Sequence, residues 1–179
     1  DGEKKEATFQ KVGTDETVGR KFDMIHVVPP QSAPDFIKKS PLANSGGWID
    51  VDPSSLRHVK YETVFGLGDA AGTSNAKTAA AVREQAPVVV ANLLASLDGR
   101  PQTAVYDGYG ACPLTVSYGK VVLAEFLYGG KVAPSFPYDQ RKPSRFAWML
   151  KTEVFPRLYW HGMLKGHDVK VKHKTIETA

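Results

Sequence analysis

The sequence predicts an α/β segment that ends in amphipathic helices. Three observations carry this. Apolar runs of strand length are closed by Gly or Pro. One long alanine-rich stretch reads as a helix. A second helical stretch near the C-terminus mixes aromatic and basic residues.

Taken in order, Ala7-Thr8-Phe9 is strand-like, and Phe22-Asp-Met-Ile-His-Val-Val28 reads as a short buried strand stopped by Pro29-Pro30. Residues 31–47, rich in Pro, Ser, Asn and Gly, read as a connecting loop. Trp48-Ile-Asp-Val-Asp52 alternates like a half-buried strand, and Thr63-Val-Phe-Gly-Leu67 forms an apolar strand ending in Gly68-Asp69. A turn of small residues follows, with Ser74 or Asn75 placed to cap a helix over 76–97. Pro87 should kink or divide that helix, and Asp98-Gly99 closes it. Residues 112–116 and 120–126 read as strands joined near Ser117-Tyr-Gly119, followed by a Gly/Pro loop over 129–137. Residues 144–164 read as an amphipathic helix kinked or split at Pro156, and 166–179 as a mobile basic tail.

With 42% hydrophobic and 23% charged residues among 179, the chain can build a core and is not disordered as a whole. No run reaches the roughly 18 apolar residues that a bilayer-spanning helix needs. The start, Asp1-Gly-Glu-Lys-Lys-Glu6, has neither an apolar signal core nor twin arginines, and it reads as a beginning inside a longer protein. Net charge is +4 but uneven: from Arg141 onward nine Lys or Arg face three carboxylates, giving +6 and leaving −2 for the first 140 residues. A basic end of this kind seeks anions, either nucleic acid or a membrane surface. Cys112 is the single cysteine, which excludes an internal disulfide framework and a thiolate-rich metal site. His26, His58, His161, His167 and His173 show no ligand spacing, so no metal is expected.

Three places carry candidate chemistry before any family is considered. A strand ending in Gly68-Asp69 before a helix would deliver a carboxylate to a sheet edge, where dinucleotides bind in open α/β folds; a plain turn is the competing reading. Downstream, Lys77-Thr78-Ala79-Ala80 stands at a helix start. Small residues there leave room for a flat ring, and free N–H groups with a lysine favour negative charge. The competing reading is a capped, alanine-rich helix with a solvated lysine. Cys112 by itself reads either as a small buried hydrophobe or as half of a pair whose partner lies elsewhere.

Three segments resemble sulfide:quinone oxidoreductases, two-dinucleotide-binding-domain flavoproteins: Phe22-Asp-Met-Ile-His-Val-Val-Pro-Pro-Gln-Ser-Ala-Pro-Asp35, Asn75-Ala-Lys-Thr-Ala-Ala-Ala-Val82 and Tyr106-Asp-Gly-Tyr-Gly-Ala-Cys112-Pro-Leu. Pro41-Leu-Ala, Gly47-Trp-Ile-Asp-Val-Asp52 and Leu123-Ala-Glu-Phe126 add to the likeness, which runs from about residue 22 to 164. The resemblance implies the C-terminal part of such an enzyme. Residues 1–60 would end the second, pyridine-nucleotide-like domain and 61–105 would complete the FAD domain. Residues 106–165 would form the redox-cysteine and membrane-facing region, with 166–179 as the tail.

The resemblance also implies chemistry. Cys112 becomes one of two redox cysteines, its partner lying in a part of the protein outside this sequence, and FAD is held by Gly68, Asp69, Lys77, Thr78 and Ala79. Sulfide would open the cysteine disulfide to a persulfide and a thiolate. FAD would then carry the electron pair to quinone, while the sulfur leaves to a small acceptor. The basic aromatic helix would attach the enzyme peripherally to a bacterial cytoplasmic or mitochondrial inner membrane, with no nucleic acid as partner. The segment alone should be inactive. The competing readings are a type II NADH:quinone dehydrogenase, a soluble sulfide dehydrogenase with a haem partner, and, from another class, a lipid- or nucleic-acid-binding module.

Overall fold

The computed structural model describes residues 1–75, 77–167 and 173–176, and contacts divide the chain into two units, Asp1–Gln31 and Ser32–Ala179.

The first unit is an antiparallel hairpin. Strand β1 (Glu6–Gln10) pairs with β2 (Thr17–Lys21), from Glu6 opposite Lys21 to Gln10 opposite Thr17. Gly13, at φ 79°, supplies the left-handed residue that the connection needs. The apolar run 22–28 corrects the sequence reading. It forms no ladder, and Met24 and Val28 are 88% and 70% exposed. Apolar content argues for burial, but a strand also needs a neighbouring edge for its N–H and C=O groups. The hairpin's last rung is the Phe22 N–H donating to the Lys5 carbonyl at 3.0 Å, and among the described residues nothing extends it.

The second unit opens with a one-turn helix, α1 (Asp35–Lys38), inside the stretch expected to be loop; buried Ile37 pins it. The expected strands at 48–52 and 63–67 are also corrected. They are joined only by single bridges, Ala43 to Ile49, Ile49 to Ala71, Val51 to His58 and Arg57 to Phe65. Two tight reversals, closed by Asp52 N–H to Arg57 O (2.8 Å) and His58 N–H to Val64 O (2.8 Å), leave no length for a ladder. Instead of a strand end, Gly68–Ala70 is a single 3₁₀ turn.

Helix α2 (Ala79–Leu97) is the core's main element. It is capped by Thr78, whose hydroxyl accepts the Ala81 N–H at 3.2 Å, not by Ser74 or Asn75; Ala76, the expected first helical residue, lies outside the described residues. The Asn75 amide is used elsewhere, donating to the Gly108 carbonyl. Pro87 does not divide the helix, which runs for 19 residues to Leu97 and is closed by Asp98, with Gly99 left-handed at φ 64°. Its buried positions Ala81, Gln85, Val88, Asn92 and Ala95 recur every three or four residues, as one face of a helix requires. That face packs with Leu56, Ala104 and Tyr106. Asn92, fully buried, donates to Ser55 O (3.1 Å) and Ala104 O (2.9 Å) and accepts the Ala104 N–H (3.1 Å). This fixes strand β3 (Ala104–Val105) on the helix.

Strand β4 (Gly110–Ser117) pairs antiparallel with β5 (Lys120–Phe126) through the expected turn, where Gly119 has φ 76°. Val121 and Leu123 point from β5 onto Ala147 of helix α3 (Arg145–Met149). The Ser144 hydroxyl caps α3 by accepting the Phe146 and Ala147 N–H groups. From there the chain stays helical to Lys165: a π turn (Leu150–Val154), a short α4 (Phe155–Arg157), a second π turn (Leu158–Gly162) and a 3₁₀ turn (Met163–Lys165). Pro156 therefore does not split the stretch; it sits between two wide turns. The expected free tail is partly tied, because β6 (Lys174–Thr175) pairs antiparallel with β3. Residues 168–172 and 177–179 of that tail lie outside the described residues.

The chain is thus mixed helix and sheet. Among the described residues each sheet is a two-stranded antiparallel pair, and no helix is long and apolar enough to cross a membrane.

Candidate functional site

A cavity of about 710 Å³ lies in the second unit, within the range of small-molecule pockets. One wall is the start of α2, contributing Thr78, Ala79, Ala80, Arg83 and Glu84. A second is the β4–β5 hairpin with its approach, from Tyr109 through Cys112 to Leu123 and Glu125. The third is the C-terminal helical stretch, through Lys151, Phe155, Leu158, Tyr159 and Met163. Both π turns contribute to this wall, and π turns inside helices recur at functional sites.

The residues Tyr106-Asp-Gly-Tyr109 build the corner between helix and hairpin. The Tyr106 hydroxyl donates to the Tyr109 carbonyl (2.6 Å), and the Asn75 amide donates to Gly108 O. Only glycine suits position 108: its φ is 86°, and a Cβ there would collide with the Tyr128 ring. Burial pushes the Tyr106 phenol up to about 12 and Tyr109 higher still, so both stay protonated donors.

Glu125 is the cavity's best-held polar group. It is 5% exposed and accepts from the Tyr109 hydroxyl, the Ser135 N–H (2.9 Å), the Ser135 hydroxyl (2.7 Å) and the Gln140 amide (2.6 Å). Burial acts to raise its pKa, but these bonds outweigh burial and hold it below the usual carboxylate range. On the strand opposite, Cys112 is a half-buried free thiol. The Lys151 ammonium clamps the residues after it, donating to Pro113 O (2.8 Å) and Thr115 Oγ1 (2.7 Å). A thiol, a cation and a capped helix start therefore border one space.

Of the residues singled out in the sequence, Thr78, Ala79 and Cys112 line this cavity. Gly68, Asp69 and Lys77 do not; they form a corner beside the same helix start. Gly68 is left-handed (φ 62°), and its N–H donates to the buried Gln85 side chain at 2.8 Å, which ties the turn to α2. Asp69 is exposed, and the Lys77 ammonium lies 4.4 Å from the centre of the Trp48 ring. Desolvation lowers the Lys77 pKa, with Asp69 opposing. The sequence reading missed Glu125, Lys151 and the partnership of Trp48 with Lys77. The signal for Glu125 was there: it continues the inward register of Val121 and Leu123, a carboxylate at a core position. His58 is structural: its Nδ1 accepts two backbone N–H groups and its Nε2 meets Leu42 O at 3.1 Å.

No protein-family model matches this chain. By sequence, what it resembles is a class of oxidoreductase. Three curated relatives, from Dictyostelium discoideum, Mus musculus and Schizosaccharomyces pombe, are each named mitochondrial sulfide:quinone oxidoreductase. They are 51%, 42% and 40% identical over 166, 168 and 165 residues, which is 92%, 92% and 89% of this chain. The resemblance read from the sequence to sulfide:quinone oxidoreductases is thus shown over about nine-tenths of the chain. The chain spans little more than a third of these relatives, 36–37% of their length. A solved structure also matches: a chain in the cryo-EM structure of the Tetrahymena thermophila mitochondrial ATP synthase, with TM-score 0.64 and 31% identity. The match covers 90% of this chain and 37% of that one.

Proposed function

We propose that this chain is the C-terminal portion of a FAD-dependent sulfide:quinone oxidoreductase. One observation carries the reading: Cys112 and the Thr78–Ala79 helix start, far apart in sequence, border a single cavity. The residues present fit the cofactor. Ala79 and Ala80 leave a shallow wall, and the capped helix start offers N–H groups and a positive dipole end. Thr78 and Ala79 would hold it from the cavity wall, with Gly68, Asp69 and Lys77 holding it from the corner beside the same helix start, and FAD would supply an acceptor for an electron pair bound for quinone.

This chain's own part is sulfur handling. Sulfide attacks a disulfide between Cys112 and a second cysteine from the rest of the protein. The S–S bond breaks, and one cysteine keeps a persulfide while the other leaves as thiolate. Tyr109 and Glu125 hold the strand that carries Cys112, and Lys151 places positive charge close by. A small acceptor then removes the persulfide sulfur.

The helical stretch 145–165 exposes Phe146, Met149, Tyr159, Trp160 and Leu164 beside Arg145 and Lys165, which supports peripheral attachment to an anionic membrane where quinone is dissolved. The relatives are named mitochondrial, which supports a mitochondrial location for this protein. The four-part division at 60, 105 and 165, with its two dinucleotide-binding domains, belongs to this proposal. So does a lack of turnover by the segment alone.

The deciding experiment is anaerobic addition of sulfide to the full-length parent while following flavin absorbance. Bleaching that Cys112→Ser abolishes and quinone reverses supports the reading. Bleaching by NADH but not by sulfide moves the protein to the NADH dehydrogenases and returns Cys112 to packing. The similar chain in an ATP synthase structure supports a second reading, a subunit of a larger assembly, and bleaching by neither reductant would favour it.

A further inference from the structure

We propose that Trp48 is a positioning residue, an aromatic seat that fixes the Lys77 ammonium at the start of α2. The inference rests on the reading above, in which Lys77 is among the residues that would hold FAD. A lysine has four rotatable bonds and ordinarily keeps its head in water. Here the head lies 4.4 Å from the centre of the Trp48 ring, well inside the ~6 Å reach of a cation–π contact. Burial lowers the pKa of Lys77 while Asp69 acts to raise it, so the ammonium is partly withdrawn from water and Asp69 favours its charged form.

The seat itself is stiff. Asn44 and Trp48 close a turn on each other, Asn44 N–H to Trp48 O (2.7 Å) and Trp48 N–H to Asn44 Oδ1 (3.1 Å). The next residue is laced to the segment after Asp69, through Ile49 N–H to Ala70 O (2.9 Å) and Gly72 N–H to Ile49 O (2.8 Å). A Cβ on Gly72 would stand 2.7 Å from that Ile49 carbonyl, so the approach requires glycine. Trp48 and the segment after Asp69 therefore belong to one hydrogen-bonded corner, and the Lys77 ammonium rests on its ring face, with the Asp69 carboxylate favouring its charge. An incidental stack of a solvated lysine would not need so rigid a platform.

The test uses the full-length, FAD-loaded parent and reads the flavin reduction potential by dye equilibration. Lys77→Met should lower the potential, because a reduced, negatively charged flavin loses a cation. Trp48→Leu should lower it in the same direction but less, Trp48→Phe should leave it unchanged, and Trp48→Leu with Lys77→Met should match Lys77→Met alone. If Trp48→Leu does not load flavin, Trp48→Met replaces it. Acylation of Lys77 by an amine reagent, followed by mass spectrometry, should be several-fold faster in the ringless variant than in wild type or Trp48→Phe. A ringless variant with wild-type potential and wild-type acylation, beside a shifted Lys77→Met, overturns the proposal. An unmoved potential in Lys77→Met removes the role of Lys77 toward FAD, and the proposal with it, while sulfide bleaching through Cys112 would still stand.

Discussion

The start of α2 faces two environments that hold charge in opposite ways. On the cavity side, Glu125 is a buried carboxylate kept ionised by neutral donors from Tyr109, Ser135 and Gln140, each fixed in direction. On the corner side, Lys77 is a cation placed by a ring face, with the Asp69 carboxylate favouring its charge, and neither acts through a directed hydrogen bond. The difference teaches where rigidity comes from. Directional bonds tie Glu125 into the fold's stability, whereas the Lys77 contacts set the position of a charge while adding little to stability.

That contrast can be broken by substitution. Glu125→Ala in the parent should cost about 2–3 kcal/mol in chemical denaturation, because buried donors lose their acceptor. A loss below about 0.5 kcal/mol would show that the network is slack. Acid sharpens the point. The folded pKa of Glu125 is depressed, so its contribution is present above the unfolded value of about 4.3 and is lost as pH falls through the lower folded value. Glu125→Gln should flatten that part of the stability–pH curve, measured as denaturation midpoints below about pH 4.3. Thr78→Ala, which removes the cap shared by both sides, should cost about 1 kcal/mol. Lys77→Met should change stability least, by under about 0.5 kcal/mol. A larger loss there would mean that Lys77 is part of the scaffold.

The sequence made legible what depends on local chemistry. The alanine- and valine-rich helix, the β4–β5 hairpin and the helical stretch that begins at Ser144 all follow from periodicity, turn residues and a cap. What it could not show was pairing. Residues 22–28, 48–52 and 63–67 have strand-like composition, but composition does not say whether an edge lies beside them, and here only single bridges or none form. The helix start was misread for a related reason. Asn75 and Thr78 both suit a cap, and only the fold reveals that Asn75 is engaged by Gly108. In the site, Cys112, Thr78 and Ala79 meet, while the partners Trp48, Glu125 and Lys151 become visible only in three dimensions.

The two π turns carry a consequence of their own. Each is a helical turn with a surplus residue, because its hydrogen bonds reach five positions instead of four. The stretch 150–162 is therefore a place where the chain can lose a residue and remain helical. The loss would close a wide turn to an ordinary one and leave the residues beyond it on their present faces, whereas the same loss inside regular α-helix would rotate them by about 100°. Phe155, Leu158 and Met163 would go on facing the cavity after a one-codon deletion in the first wide turn, while the same deletion inside α2 would turn its buried face outward.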